Sequence, residues 1–557
     1  MEQALARGLH AVPVLSYELG HHIVGVEPRA AAHDAPPLAQ VLLFERCDEL
    51  SQSEVADWLA AQAAADTTPA GVAGIRANVG EAQFVDAIQR IRDYIAAGDT
   101  YQVNYTYRLH FDAFGSPFAL YQRLRARQPV PYGALIGFDD GRAVLSLSPE
   151  LFVRKEGDML TARPMKGTAP AAVDDAENVR RSAALAADPK NRAENLMIVD
   201  LLRNDIGRVA ATGSVEVPKL FEVTRFSSVL QMTSTVQARL REGASLQDIF
   251  TALYPCGSIT GAPKKRTMEI IAELEPEPRG IYTGAIGWFA PDGDFCLNVP
   301  IRTLTLQTPQ EGIRKGVMGV GAGIVYDSEP HDEFAECQLK ARFLTGLTND
   351  FELFETMYAT RETGPRHLER HLQRLEKSAR YFGFAWDEAA ARAYLSLACQ
   401  ALPASQPHRI RLAMNAAGAL AVQTGALTPL QEPVRVQLAD EATDSSDLFL
   451  RHKSTIRERY DAAWKAADAQ GAFDKLFFNE RGELTEGGRS NVFIRKEGLW
   501  ITPPLSTGIL PGVMRAVLVE AWGAQESLIT REMLLAAEEI VVCNSLRGAM
   551  RAVLQVD

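Results

Sequence analysis

The pattern of this chain runs out near residue 347 and then begins again. Across 80–345, helix-like runs at 81–97 and 182–208 alternate with short β-rich runs such as RAVLSLS and IYTGAIGWF. From 348 a new strand-like run, FELFETMYAT, leads into a helical one, HLERHLQRLEKSARYFG. Its closing Gly383 suits the left-handed residue that ends a helix. One core does not accommodate such a restart, and single cores stop growing at roughly 250–300 residues. The chain has 557 residues. The expectation is an α+β protein of two domains, 1–347 and 348–557. Residues 1–75 are Ala/Pro-rich, including AAAHDAPPLAQ at 30–40.

A net charge of -12 argues against nucleic acid or an anionic membrane as partner. An anionic substrate would then need cations placed locally. The six cysteines are scattered, with no CxxC pair, which fits a reducing compartment and argues against a disulfide scaffold or structural zinc. The N-terminus has no basic region followed by a long apolar run. No stretch reaches about 18 uninterrupted apolar residues. The expected location is the cytoplasm.

Two lysines carry the chemistry. Lys166 lies in Arg163-Pro164-Met165-Lys166-Gly167-Thr168. A lysine becomes a nucleophile when burial or neighbouring cations lower its pKa. Around it the sequence reads as a magnesium site for a dicarboxylate. In DPKNRAENLMIVDLLRNDIGRV (188–209), apolar residues at Leu196, Ile198, Val199, Leu201 and Leu202 leave Glu194 free to face a cleft. In HDEFAECQLKAR (331–342), Glu333, Glu336 and Lys340 fall at i, i+3 and i+7, one face of a helix. A few hard carboxylate oxygens suit Mg2+, which keeps waters and takes other ligands from substrate. GSITGAPKKRTMEII (257–271), RGIYTGAIGW (279–288), NVPIRTL (298–304) and GVGAGIVYDSEPHDEF (319–334) are glycine-rich turns beside cations. Successive N–H groups in such turns make anion nests, and Arg302 suits a carboxylate through its planar fork.

These blocks, in this order over about 80–345, resemble the chorismate-utilising enzymes. That superfamily includes anthranilate synthase component I, aminodeoxychorismate synthase component I and the isochorismate and salicylate synthases. The resemblance implies a β-sandwich with flanking helices. It implies Glu194 and Glu336 as magnesium carboxylates, with Glu333 helping through water. It implies Glu150, in Ser148-Pro149-Glu150, as general acid on the leaving hydroxyl. Tyr282, Arg302, Thr260 and the backbone of Gly321 and Gly323 match substrate contacts, and Lys340 a cation beside the metal. Members that add water at C2 carry a lysine base where AGDTYQVN here holds Gln102, and glutamine is no base near neutral pH. Anthranilate synthases carry a small residue where Lys166 stands; aminodeoxychorismate synthases carry lysine within PxKGT. The implied chemistry is attack by the lysine amine at C2 with loss of the C4 hydroxyl, then addition of ammonia at C4 and expulsion of the lysine.

The resemblance has departures. Gln231, in VLQMTS, stands where relatives usually have histidine, which fits an enzyme that stops before eliminating pyruvate. LSYELG (15–20) usually follows several dozen more residues, so this N-terminal region reads as shortened. No nucleophilic cysteine in a glycine elbow marks a glutaminase. Cys256 belongs to a chorismate-side block, so ammonia is expected from a separate glutamine amidotransferase subunit.

In the second half, Lys453, in FLRHKSTIRERYDAA (449–463), reads as a Schiff-base lysine. Glu486, in LTEGGRSNVF, is a carboxylate suited to a protonated pyridine nitrogen. TPPLSTGILPGVMRAVL (502–518) reads as a loop, Pro-Gly, and a helix starting near Val513. Free N–H groups there, at Val513 and Met514, suit a phosphate dianion. Arg374 supplies a second phosphate contact, and Asn544 and Ser545, in VCNSLRG, complete the cup. These blocks resemble the fold-type IV pyridoxal phosphate enzymes, which include branched-chain and D-amino acid aminotransferases and aminodeoxychorismate lyase. The usual first strands before FELFETM are missing. The resemblance implies pyridoxal 5'-phosphate as cofactor and, by analogy, a homodimer. The two halves together imply conversion of chorismate to 4-aminobenzoate for folate synthesis: amination, then release of pyruvate. The rivals are an anthranilate synthase component fused to an aminotransferase, and a regulatory protein that keeps both folds without turnover.

Overall fold

The computed structural model describes residues 1–27, 37–66, 68–226 and 229–555. Most of the Ala/Pro-rich run at 30–40 lies outside the described residues. The chain divides into two compact units, Met1–Thr308 with Arg314–Leu347, and Pro309–Ile313 with Thr348–Asp557.

Two sheets share the core of the first unit. The nine-stranded sheet runs Glu216–Phe226, Val229–Arg239, Met159–Arg163, Leu151–Glu156, Phe295–Asn298, Ala285–Phe289, His10–Leu15, Ala39–Phe44, with Met165–Pro170 pairing beside Val229–Arg239. The seven-stranded sheet runs Gly261–Ala262, Gln102–Phe114, Ile313–Ile324, Thr303–Leu306, Ala143–Ser148, Tyr132–Gly137, with Gly71–Ala77 on Gln102–Phe114. Period-two alternation turns one face of each strand inward. Leu160, Val236, Phe289 and Leu297 from one sheet meet Val103, Leu145, Leu304 and Met318 from the other in one apolar core. This is the expected sandwich, with helices such as Glu81–Ala96 and Pro330–Thr345 alongside.

The helical run read at 182–208 is two helices, Asp175–Ala187 and Pro189–Gly207. Pro189 forces its predecessor out of the α region. Asp188 is accordingly extended, and its carboxylate accepts the Asn191 N–H to cap the second helix. Leu196 is 43% exposed, so it does not belong to the apolar stripe assigned to it, whereas Ile198, Val199 and Leu202 are buried.

The second unit holds a four-stranded and an eight-stranded sheet. The smaller runs Gly364–Pro365, Leu353–Thr360, His408–Met414, Leu420–Ala426. The larger is mixed; Val434–Leu438 pairs in parallel with both Asp474–Phe478 and Gly548–Leu554. The helix Leu368–Phe382 buries Leu372, Leu375, Ala379 and Phe382, one stripe at helical spacing. The leucines and the phenylalanine each contribute about 1.5–3 kcal/mol on burial. Gly383, at φ 72°, ends the helix as expected. Among the described residues no helix is long and apolar enough to cross a membrane.

Candidate active sites

Lys166 sits on the short strand Met165–Pro170, held by pairing of Met165 with Thr233 and Thr168 with Gln231. Gly167 has φ +90°, and a Cβ there would meet the Asn191 side chain at 2.9 Å. The strand thus lies close against the helix that carries Glu194. The Lys166 side chain reaches the strand Ile313–Ile324 of the other sheet. A Cβ on Gly323 would stand 2.4 Å from Lys166 Nζ and 3.2 Å from Gln102 Nε2. The amine therefore rests on bare backbone. Burial lowers the Lys166 pKa and Lys340 adds to this, against the opposing pull of Glu194, Glu336 and Glu150. An amine so placed is a better nucleophile than a surface lysine.

Glu150 follows the strand Ala143–Ser148 and is buried; Ser258 donates to its Oε1 at 2.7 Å. Burial pushes its pKa up to about 7, although Ser258 and Lys166 oppose this. It can hold a proton near neutral pH, as a general acid must.

On the helix Pro330–Thr345, Lys340 Nζ donates to Glu336 at 2.8 Å and to the Gly321 carbonyl at 3.0 Å. Burial works against ionisation of Glu336, but Lys340, Lys166 and Lys190 together hold the carboxyl below its ordinary range. Burial raises Glu333; Ser328 donates to it at 2.8 Å, while the nearby Glu336 raises it further. Lys190, unassigned in the sequence reading, bears on both acids. Glu194 and Glu336 both act on the Lys166 charge, so they flank one spot. Among the described residues no three His, Cys, Asp or Glu side chains converge as a closed metal cage. Mg2+ needs few protein oxygens; at Glu194 and Glu336 it would share the Glu336 carboxylate with Lys340.

The anion-binding residues have distinct surroundings. Arg302, at φ 51°, lies where burial lowers it to about 10, and no carboxylate pairs with it among the described residues. Tyr282 is buried against Gly319, with the Arg108 guanidinium 5.5 Å from its ring centre. Thr260 donates to the Cys256 and Gly257 carbonyls at 3.1 and 3.2 Å, so its hydroxyl proton holds the turn. Gln102 is wholly buried, and neither end of its amide has a hydrogen-bond partner among the described residues. Only its failure as a base was legible in sequence; its place beside Lys166 needs the strand register.

The second site is a cavity of about 470 Å³ lined by Lys453, Arg374, Glu486, Val513, Met514 and Ser545, among others. The Phe354 N–H donates to the Lys453 carbonyl at 3.0 Å, fixing the lysine beside the strand Leu353–Thr360. Burial lowers Lys453 to about 7, helped by Arg457 and Arg374 and opposed by Glu355 and Glu486. Burial raises Glu486 to about 8; it accepts the Leu510 N–H at 3.1 Å and the Asn491 amide at 2.8 Å. Arg374 donates to both oxygens of Glu355, at 2.8 and 2.6 Å, and to the Pro511 carbonyl at 3.0 Å. The His371 ring closes on Glu355 at 2.6 Å. Glu355 was not foreseen: in FETM it reads as an ordinary strand residue. Asn544 lines the cavity beside Ser545, and its amide also donates to the Arg489 carbonyl and accepts the Arg547 N–H.

The first-turn amides of the helix Val513–Trp522 have no intrahelical acceptors. Its N-cap Gly512 lets the chain approach closely; a Cβ there would meet Asn491 Oδ1 at 1.9 Å. A neutral-leaning lysine, a buried carboxyl and a helix N-terminus beside an arginine fit pyridoxal phosphate.

Residues 2–346 match the family described as chorismate binding enzyme, and residues 352–554 match amino-transferase class IV. The chain belongs to the chorismate binding enzyme family and carries a class IV amino-transferase domain, which implies pyridoxal phosphate. Aminodeoxychorismate synthase component 1 of Klebsiella aerogenes is 40% identical over 344 residues, covering 58% of this chain and 74% of that one. Anthranilate synthase component 1 of Streptomyces coelicolor is 44% identical over 280 residues, covering 50% and 54%. The crystal structure of anthranilate synthase component I from Streptococcus pneumoniae TIGR4 matches with a TM-score of 0.50 and 29% identity, over 60% of this chain and 79% of that one. The chain spans about half the length of the anthranilate synthase relatives it matches.

Proposed function

We propose that the protein aminates chorismate at C4 and then releases pyruvate from the product, giving 4-aminobenzoate. The observation that carries this reading is Lys166, an amine of lowered pKa against bare Gly323 with the acid Glu150 bearing on it. Identity alone does not choose between aminodeoxychorismate and anthranilate synthases, since both kinds of relative match well.

In this mechanism Lys166 Nζ attacks C2 of the ring. The double bonds shift, and Glu150 protonates the C4 hydroxyl as it leaves as water. Ammonia adds at C4, the double bonds shift back, and the lysine leaves C2. Gln102 cannot take a proton from water, so water addition at C2 is disfavoured. Arg302 and the Tyr282 wall hold the substrate's carboxylates. Glu194 and Glu336 would hold Mg2+, which would offset carboxylate charge. Ammonia comes from a glutamine amidotransferase subunit.

In the second domain, bound pyridoxal phosphate supplies an electron sink. Lys453, near neutrality, removes the proton from C4 of the aminated ring. It returns that proton to the enolpyruvyl methylene as the C3–O bond breaks, so pyruvate leaves and the ring aromatises. Glu486 would share a proton with the pyridine nitrogen. Arg374 and the amides of Val513 and Met514 would hold the phosphate, with Ser545 at the cavity wall.

The test mixes the protein with chorismate, Mg2+, pyridoxal phosphate and ammonium, and identifies products by mass and fluorescence. 4-Aminobenzoate with pyruvate, lost in Lys166→Ala, is the expected result. Anthranilate, or a near-normal amination rate in Lys166→Ala, overturns it.

A further inference from the structure

The second cavity carries more positive charge than a cofactor phosphate explains. Three of its arginines already have partners in the protein. Arg374 is forked onto Glu355, and Arg457 is paired with Asp461 at 2.8 Å. Arg489 donates to the Phe473 carbonyl at 2.9 Å and stacks over Trp464 at 4.7 Å. Arg409 and Arg411 are different. Both line the cavity from the strand His408–Met414. Two residues apart, they share one face, while Ile410 and Leu412 turn to the core. Arg409 has no acidic partner among the described residues. Among the described residues the acidic partner of Arg411 is Glu352, at a long 3.6 Å.

Their placement relates them to the chemistry. The Arg411 guanidinium lies 4.5 Å from the Phe354 ring centre, and Lys453 Nζ lies 4.9 Å from the same ring. Side chains two apart on a strand stand roughly 7 Å from each other, a spacing for two anionic groups on one small molecule. The phosphate-side groups belong to other elements, the helices Leu368–Phe382 and Val513–Trp522.

We propose that Arg409 and Arg411 form a carboxylate-reading wall, so that the second domain selects an amine bearing two carboxylates and rejects apolar amino acids. This deepens the reading in which that domain consumes the first domain's product, which carries one carboxylate on its ring and one on its enolpyruvyl group. Arg411 takes one, sliding from Glu352; Arg409, exposed at the cavity edge, takes the other. An uncommitted guanidinium gains a bidentate, charge-assisted pair that an apolar side chain does not offer.

Binding is measured first, on the full chain loaded with pyridoxal phosphate, through the visible band of the cofactor. Glutarate, with two carboxylates and no amine, is titrated against isocaproate, with one. The expected result is at least tenfold tighter binding of glutarate, lost in the Arg409→Gln/Arg411→Gln protein and partly restored by Arg411→Lys. Equal affinities in the parent, or no loss in the double variant, overturn the proposal. A changed resting spectrum in the double variant also overturns it, because the arginines would then serve the cofactor. Kinetics with 4-amino-4-deoxychorismate follow. A KM raised at least tenfold with kcat little changed supports the wall; an unchanged KM overturns it. If the parent prefers glutarate but does not consume aminodeoxychorismate, the lyase reading fails while the dicarboxylate wall stands.

Discussion

Replacing Gly323 with alanine puts a methyl group where Lys166 keeps its amine. The added Cβ stands 2.4 Å from Lys166 Nζ. Comfortable contact is about 3.5 Å, so the amine must retreat by roughly 1 Å. The obstacle is the tip of a flexible side chain rather than backbone, so the fold gives way cheaply. An off-rotamer lysine costs about 1 kcal/mol, which lowers the melting temperature of a domain this size by roughly 1–2 °C. Reaction geometry is less forgiving, since a misplacement of about 1 Å can cost 10²-fold in rate. Gly323→Ala should therefore cut C4 amination about a hundredfold while melting almost normally. The assay is 4-aminobenzoate fluorescence with excess lyase added, so that only the first step limits. Consumption of supplied aminodeoxychorismate is the internal control and should not change. An amination rate within about threefold of the parent would refute the claim that the amine works from that position. A large fall in melting temperature would refute it differently, by showing that the strand moved instead of the lysine.

Other perturbations separate the two sites. Lys453→Ala should leave amination intact and let aminodeoxychorismate accumulate, read by mass; undiminished 4-aminobenzoate without added lyase would count against the role of this lysine. Amination should decline as pH rises through about 7, because Glu150 must be protonated to act and its value is raised to about 7; Glu150→Gln should be slow and lack that limb in its pH–rate profile. Against the cost of burial, Arg374 and His371 hold Glu355 down to about 2. Glu355→Gln removes the charge that orients Arg374 and should weaken pyridoxal phosphate binding about tenfold or more, measured by dialysis and absorbance; unchanged affinity would mean that Arg374 does not depend on Glu355.

Local signals were legible because they act over a few residues. Gly383 ends its helix, and Glu336 and Lys340 meet across one helical turn, as spacing alone requires. The Asp-Pro at 188–189 was a readable break as well, but the acidic and apolar content on either side hid it inside one long run. Pairings set by register were not legible. Glu355 and Arg374 lie on a strand and a helix, and which face of FETM points inward depends on how Leu353–Thr360 aligns with His408–Met414. The same holds for Gln102, whose amide reaches Gly323 and Lys166 only once three separate strands are in place. Asn544 shows the converse. Its residue type and its neighbour Ser545 were enough to place it on the cavity wall, where the turn also ties it to Arg489 and Arg547.

Lys453 and Glu486 together make a pH signature that the cofactor-free second domain should display. The lysine's value falls from 10.5 to about 7 on folding. Between those pH values the folded state holds fewer protons than the unfolded one. This contribution is present above 10.5 and is lost as pH falls through about 7, so stability rises with pH across that window. The carboxyl's value rises from 4.5 to about 8. Its contribution is present below 4.5 and is lost as pH rises through about 8, so stability falls with pH across that window. The two slopes oppose each other only between pH 7 and 8. Below that overlap the carboxyl alone acts, and above it the lysine alone acts. The curve from this pair should therefore have a shallow minimum at pH 7–8. Melting curves from acid to alkaline pH, taken as differences from Glu486→Gln and Lys453→Met, isolate each limb. Glu486→Gln should remove the falling limb and Lys453→Met the rising one. A difference curve with a maximum at pH 7–8 would mean that the pair is ionised in the folded protein, a charged bridge rather than a neutral pair awaiting its cofactor.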